Sequence, residues 1–178
     1  MKTTKAAVKV LEKTADNPRR MGVNGVWQDS KGRWNAVTEY RAFRWSGDDL
    51  GIHRRNCPSD IVELDGLIFG KVNNPDLDYR SIRPYEITTK SIKEAIKSAK
   101  LRGMEKDYFI NICGTCFNAR YVLDALNVVG ESCEICVSSK KLQPLFFLAE
   151  SCEAVLMPVR GYPAHIVYEY PATAENVA

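Results

Sequence analysis

The sequence predicts an α+β fold in which amphipathic helices pack on one face of antiparallel sheets. Three segments carry apolar residues at intervals of three and four, the spacing of a helix with one buried face. Short alternating segments separated by turn residues surround them, as is typical of antiparallel strands. A helix followed by such a meander occurs near the start of the chain and again near its end. The 178 residues suffice for one domain with a sizeable core, or for one domain and part of a second.

Four regions follow from this pattern. Residues 1–55 are expected to form a first helix–meander half, and residues 88–160 a second one. Residues 56–87 contain three prolines and several turn signals, so they are interpreted as a connector or an insertion. Residues 161–178 form a C-terminal extension.

Helix signals locate three helices, over residues 3–14, 91–101 and 118–129. Ser91 and Glu94 fit a capping box at the start of the second. Asn118 is a good N-cap for the third, and Gly130 a good stop. Strands are predicted over residues 23–29, 33–43, 50–54, 61–64, 67–72, 108–113, 132–138, 145–149, 154–157 and 164–170.

Composition favours a cytoplasmic protein without a membrane partner. The chain is 45% hydrophobic and 26% charged, which is ordinary for a globular protein. No apolar run approaches the roughly 20 residues that span a bilayer. Lysines interrupt the apolar residues of the first ten positions, so the continuous apolar segment of a secretory signal is missing.

The first two predicted helices carry lysines on the side opposite their apolar face. A solvated surface helix is the ordinary explanation, but a surface adapted for solubility usually mixes both signs of charge. Lysines without acids suit a polyanion, because flexible point charges contact phosphates without reading sequence. We therefore predict non-specific DNA binding by Lys2, Lys5, Lys9, Lys13, Lys90, Lys93, Lys97 and Lys100. The third helix has a mixed polar side, with Arg120, Asp124 and Asn127.

Aromatic residues of the first meander offer a weaker signal. Trp27, Trp34 and Trp45 could stack on bases, but such residues more often fill a core or an interface.

Four cysteines, Cys113, Cys116, Cys133 and Cys136, have the C-x2-C-x16-C-x2-C spacing of a zinc ribbon. The second pair lies in a predicted strand, where residues three apart point to opposite faces, so a shared metal is disfavoured. The first pair, between a strand and a helix, resembles a dithiol redox site, although the strands expected after it do not fit that fold. A zinc module and a CxxC thiol–disulfide oxidoreductase remain alternatives.

No catalytic constellation is evident. His53 and His165 are the chain's two histidines, and neither lies in a metal-ligand or triad pattern. The chain also lacks a glycine-rich phosphate loop. We expect a protein that is not an enzyme and needs no metal or cofactor.

The segment from Phe117 to Asn127, followed by Val155-Leu-Met-Pro-Val-Arg160, is similar to the C-terminal part of the bacterial DNA polymerase III beta subunit, the sliding clamp. Asn24-Gly25-Val26 and the stretch from Arg33 to Arg41 resemble the first meander of that family, with one residue deleted at a glycine before Tyr40. The segment from Asp78 to Pro84 is similar to one that closes a clamp domain.

The resemblance implies a DNA-clamp-like fold of helix-plus-meander units, whose basic helices face duplex DNA inside a ring. It also implies a hydrophobic cleft that binds short peptide motifs of polymerases and repair proteins. The matching cleft positions are Thr38, Tyr40, Arg41, Val155, Met157, Pro158, Val159 and Arg160.

The family is about twice as long, with three domains, so a ring of this chain would need more copies and a homo-oligomer is expected. In the family the two parts of the cleft come from neighbouring domains, and here they would face each other across a subunit interface or not meet. The C-terminal extension would cover the cleft or an edge strand.

The predicted function is that of a processivity factor, which binds or encircles duplex DNA and tethers a polymerase or another DNA-processing partner. A clamp-like interaction module that does not bind DNA is the alternative in a different class, beside the two cysteine-based ones.

Overall fold

The computed structural model describes residues 4–16, 25–54, 68–82, 87–103, 108–160 and 165–170. These residues contain three α-helices, α1 (Lys5–Ala15), α2 (Thr89–Leu101) and α3 (Ala119–Val129). The strands that they form are β1 (Trp27–Gln28), β2 (Trp34–Val37), β3 (Arg41–Trp45), β4 (Tyr79–Ile82), β5 (Phe109–Ile112), β6 (Thr115–Asn118), β7 (Glu134–Ser138), β8 (Leu145–Ala149), β9 (Cys152–Leu156) and β10 (Ile166–Tyr170). The predicted α+β class is confirmed.

Two sheets organise the strands. The larger has seven strands in the order β1-β2-β3-β9-β8-β7-β4, and its neighbours run antiparallel. The smaller has the order β10-β5-β6, and β10 runs parallel to β5. Strand β3 of the first half lies beside β9 of the second, so one sheet passes through both halves.

The helices form one layer, with α1 and α3 on the large sheet and α2 beside the small one. Helix α3 packs on β8 and β9, α1 packs against α3 and β2, and α2 lies against α3 and β10. Their apolar faces bury residues such as Leu11, Ile92 and Leu126 in one core with Phe43 and Phe147 of the sheet. Such packing supplies most of the stability of helices this short. Among the described residues, no helix combines the length and the apolar character that crossing a bilayer requires.

Caps determine where each helix begins. The hydroxyl of Thr4 accepts from the amide of Ala7 before α1, at 3.1 Å. The capping box of α2 consists of Thr88 and Ser91 and not of Ser91 and Glu94, so this helix begins two residues earlier than predicted. Asn118 caps α3 and Gly130, at φ +102°, ends it, as predicted.

The first meander differs in detail from its prediction. The segment 33–43 is two strands, because the amide of Thr38 donates to the carbonyl of Arg41, at 2.8 Å, and closes a turn. The described part of the strand predicted at 23–29 is reduced to β1. At residues 50–54 a single bridge joins Val26 to Arg54. All three tryptophans of this region are buried and fill the core.

The described part of the connector contains two 3-10 helices in place of a predicted strand. The sequence predicts a strand over residues 67–72, but Phe69–Asn73 forms a 3-10 helix, and a second one follows over Pro75–Leu77. Phe69 and Val72, three residues apart, face the same apolar cluster, and Asn74 caps the second turn. These turns cover the face of the large sheet opposite the α-helices. The strand predicted at 61–64 lies outside the described residues.

Strands from the connector and the extension complete the sheets. Strand β4, which the sequence did not predict, pairs with β7 at an edge of the large sheet. Strand β10 confirms the strand expected in the extension and covers an edge of β5. Of the two positions expected for the extension, its described part therefore covers an edge strand.

Candidate nucleic-acid interface

Three helices converge on a groove of about 550 Å³ on the outer side of the helix layer. Helix α1 contributes one lysine, α2 three lysines, and α3 an arginine and an aspartate, around two apolar side chains. The lining residues are Lys13, Lys93, Ile96, Lys97, Lys100, Arg120, Leu123 and Asp124. Side chains separated by more than 100 positions thus meet in one basic depression.

The lysines keep helical spacing, so that burial of the apolar face turns them outward together. Ile92 and Ala99 are fully buried, while Lys93, Lys97 and Lys100 are exposed. Lys13 and Lys100 lie in the last turns of their helices, where a cation also stabilises the helix dipole. Helix stability therefore explains part of this pattern.

Arg120 has no such explanation. It lies in the first turn of α3, the end at which the helix dipole disfavours a cation. Its guanidinium is 6.0 Å from the ring centroid of Tyr108, and its side chain faces the groove. The sequence offered a signal, since Arg120 stands on the polar side of α3, but the mixed charge of that side gave no reason to group it with the lysines.

The predicted lysines divide into two groups. Lys13, Lys93, Lys97 and Lys100 line the groove. Lys5, Lys9 and Lys90 are exposed on the same helices without lining it, and Lys2 lies outside the described residues.

Asp124 is the acid among the described lining residues, and Arg41 neutralises it. The guanidinium of Arg41 forms an ion pair with the Asp124 carboxylate, although Arg41 belongs to β3 and is only 4% exposed. It also lies over the ring of Tyr121, 4.9 Å from the centroid. The groove therefore presents five cations against a carboxylate that already has a partner.

Helices α2 and α3 are tied together beside the groove. The Glu131 carboxylate, just after α3, accepts hydrogen bonds from the amide and the hydroxyl of Thr89 at the start of α2. These bonds, aided by the charge of Lys93, lower the pKa of Glu131. The bonded carboxylate favours one spacing of the two helices that supply most of the cations.

The two segments predicted to form a peptide cleft lie side by side within one chain. Strands β3 and β9 pair directly, and the amide of Met157 donates to the carbonyl of Tyr40 at 2.9 Å. Tyr40 is 48% exposed and Met157 38% exposed, and the Tyr40 ring stacks on Tyr121 with centroids 6.2 Å apart. A subunit interface is therefore not needed to bring the two parts together.

The other cleft residues have different environments. Val155 is buried on the face of the sheet covered by the 3-10 turns, and Arg41 is occupied by Asp124, so neither side chain is presented at the surface. Thr38 is half-buried and bonded within its turn. Pro158 and Val159 are half-buried, Arg160 is exposed, and the amide of Val159 donates to the carbonyl of Cys116, at 2.8 Å.

The cysteine pairs do not form one cluster. Cys116 lies in β6 of the small sheet, and Cys136 in β7 of the large one. The described residues contain no group of three or more His, Cys, Asp or Glu side chains placed to hold a metal ion. The zinc-ribbon spacing therefore does not bring the four thiols together.

The redox arrangement is also absent at the CxxC pair. Helix α3 begins at Ala119, after strand β6, so neither thiol of the pair lies at the helix N-terminus. Burial raises the pKa of both Cys113 and Cys116. A dithiol enzyme instead needs a lowered pKa at its attacking thiol.

A layer of helices on largely antiparallel sheets, with basic side chains on the outer side of that layer, places the chain among clamp-like α+β folds. Among solved structures, it is similar to a protein from Eubacterium rectale that is provisionally described as a DNA polymerase III beta subunit. The TM-score is 0.53 at 13% sequence identity, over 88% of this chain and 63% of that one. At this identity the likeness concerns the fold, and the chain spans 63% of the length of that structure. No protein-family model matches the chain. No curated protein matches it either.

Proposed function

We propose that this chain is a clamp-like DNA-binding protein that holds duplex DNA non-specifically and tethers a DNA-processing partner to it. The observation that carries the proposal is the groove in which cations from three helices meet. Its lysines and Arg120 are exposed charges, and none of its described lining residues is fully buried. Such a surface suits phosphate groups along a backbone and not a specific base sequence.

Duplex DNA is proposed among the polyanions because the similar solved structure is provisionally described as a DNA polymerase III beta subunit. The clamp-like architecture places helices on one side of continuous sheets, and the cations lie on that helical side. Binding should then depend steeply on salt, because each phosphate contact releases counterions.

A direct test compares two double charge reversals that change the net charge equally. Lys97→Glu/Lys100→Glu acts in the groove, whereas Lys140→Glu/Lys141→Glu acts on the exposed turn between β7 and β8, outside it. Affinity for a blunt 30-base-pair duplex is measured by fluorescence anisotropy over a range of salt concentrations.

We expect the groove variant to lose roughly tenfold to a hundredfold in affinity and to reduce the salt slope by about two. The affinity of the turn variant should stay within about threefold of the wild type, because Lys140 and Lys141 lie outside the groove and salt screens separated charges. Equal losses in both variants, or a wild type that ignores DNA, would contradict the proposal.

Self-association is the second part of the proposal, because a ring of this chain requires several copies. Light scattering of the full chain, with and without duplex DNA, measures it. A species of defined mass above the monomer is expected, and retention on closed circular DNA with release after linearisation would indicate encirclement. If the chain is a monomer under all conditions, it cannot form a ring, and only the DNA-binding part of the proposal remains.

A specific observation favours a second candidate, a partner-binding module that does not bind DNA. Tyr40 and Met157 form an exposed apolar surface beside the groove helices. If the wild type ignores duplex DNA but binds a polymerase through this surface, the second candidate replaces the first.

A further inference from the structure

Arg41 lies at a buried position that the sequence did not predict. The resemblance implied that it contacts a bound peptide, but its side chain is 4% exposed and points toward α3. There it pairs with Asp124, whose side chain is 23% exposed and lines the basic groove. The pair joins a strand of the large sheet to the proposed DNA surface.

The local structure holds the guanidinium firmly. Its plane lies near the rings of Tyr121 and Phe43, at 4.9 and 5.7 Å from their centroids. The backbone of Arg41 closes the turn with Thr38, whose hydroxyl accepts from the Arg41 amide at 3.2 Å. A side chain held at so many points keeps its charge in one place, which flexible surface lysines do not.

We propose that Arg41 is a positioning residue that sets the charge of the groove by neutralising Asp124, and so determines its affinity for a polyanion. This inference rests on the proposed function. A free carboxylate among five cations would repel the phosphates that those cations attract. Arg41 removes this repulsion from behind the groove, without occupying its surface.

The test uses four variants of the full chain: Arg41→Met, Arg41→Lys, Asp124→Asn and the double variant Arg41→Met/Asp124→Asn. Binding to a 30-base-pair duplex and, separately, to heparin is measured across salt concentrations. Circular dichroism and thermal melting give the folded fraction of each variant, and affinities are expressed per folded protein.

Arg41→Met should weaken binding about threefold to tenfold, since it exposes one unpaired negative charge to the ligand. Arg41→Lys keeps a positive charge beside Asp124, so its affinity per folded protein should stay within about twofold of the wild type. It loses the stacking of the guanidinium on Tyr121, so a lower melting temperature is expected. Asp124→Asn should bind as tightly as the wild type or several-fold more tightly. The double variant should recover wild-type affinity, because both charges are gone together.

A purely structural role predicts a different pattern. Arg41→Met and the double variant would then both melt at a lower temperature than the wild type. Per folded protein, both would bind as tightly as the wild type, or both would bind more weakly to the same extent. Either result overturns the inference, and so does wild-type affinity in Arg41→Met.

The heparin measurement separates this inference from the proposed function. If the wild type ignores duplex DNA but binds heparin, with the variants in the expected order, the duplex proposal fails and the role of Arg41 stands. If the wild type binds neither ligand, both fail.

Discussion

The amide of Met157 donates a hydrogen bond to the carbonyl oxygen of Tyr40, at 2.9 Å, and joins the end of β9 to the turn between β2 and β3. Both side chains remain exposed, by 38% and 48%. Because β3 and β9 are neighbours in one sheet, two residues that are 117 positions apart in the sequence are joined by a hydrogen bond. This contact brings two exposed apolar side chains together, and Tyr40 stacks on Tyr121 of α3, one of the helices that line the groove.

The first prediction concerns the apolar surface of Tyr40 and Met157. Tyr40→Ala/Met157→Ala should abolish stimulation of a bacterial replicative polymerase on a primed circular template, while duplex affinity stays within about twofold. Loss of the Tyr40–Tyr121 stack should cost no more than about 1.5 kcal/mol in unfolding free energy. Leu101→Ala/Leu142→Ala removes two other exposed apolar side chains and serves as the control. Equal loss of stimulation in the control would show that Tyr40 and Met157 do not form a specific binding surface for the polymerase.

The second prediction separates the lysines by position. Lys5→Glu/Lys9→Glu should weaken duplex binding less than Lys97→Glu/Lys100→Glu, because the α1 pair lies outside the groove and the α2 pair lines it. A difference of about tenfold at 0.1 M salt is expected, since this salt screens separated charges beyond roughly 10 Å. Equal effects would indicate that the whole basic surface, and not the groove, attracts DNA.

The third prediction concerns Gly25, which begins the first meander at φ +85°. A Cβ at this position would lie 2.7 Å from the carbonyl oxygen of His53, which accepts a hydrogen bond from the Val26 amide. Gly25→Ala should therefore lower the unfolding free energy by about 2–4 kcal/mol, measured by urea denaturation.

Gly32→Ala is the matched control. Gly32 has a similar φ of +73°, but nothing lies within 4 Å of its added Cβ. It should cost only the backbone strain, about 1 kcal/mol. Equal losses in the two variants would show that the close approach to His53 is unimportant.

The fourth prediction is a pH dependence. Hydrogen bonds from Thr89 lower the pKa of Glu131 in the folded protein below its unfolded value, which is about 4.3 for a glutamate. The bonded carboxylate therefore stabilises the fold at neutral pH, and this contribution is lost as the pH falls through the folded pKa. Glu131→Gln should reduce the loss of stability between about pH 5 and pH 3.

Denaturation at several pH values measures the effect. Glu150→Gln, in the exposed turn between β8 and β9, is the control and should leave the pH profile unchanged. Identical profiles for Glu131→Gln and the wild type would show that the tie between α2 and α3 carries no stability.

The fifth prediction concerns thiol reactivity. Burial raises the pKa of Cys133 to about 11, and the pKa values of Cys136 and Cys152 to about 12. At pH 8 these three thiols should react with an aromatic disulfide reagent only after unfolding, whereas half-buried Cys113 should react first. A Cys57→Ser background removes the cysteine that lies outside the described residues. Rapid reaction of several thiols in the native protein would contradict this prediction and favour the CxxC thiol–disulfide oxidoreductase.

Local sequence was sufficient for much of the fold. The apolar spacing located all three described helices, and the caps Asn118 and Gly130 were identified correctly, because these signals act within four residues. It failed at Phe69–Asn73, where a short apolar run is compatible with a strand and a turn alike. It also failed to find β4, whose alternation is interrupted by polar residues and whose partner β7 is over 50 positions away.

The candidate site divides in the same way. Lysine spacing predicted a basic face on α1 and α2, since burial of one helical face turns the other outward. Arg120 joined the groove, and Lys5 and Lys9 were left outside it, because the packing of α1, α2 and α3 decides which side chains meet.

By itself, then, the sequence determined the three described helices, the caps of α3, most strands and the sign of charge on the helical surface, all of which depend on neighbours along the chain. Only the tertiary structure decided that β3 lies beside β9, that β10 closes the small sheet and that Arg41 neutralises Asp124. Those contacts join distant segments, and they are selected by the packing of the whole core, which no local pattern records.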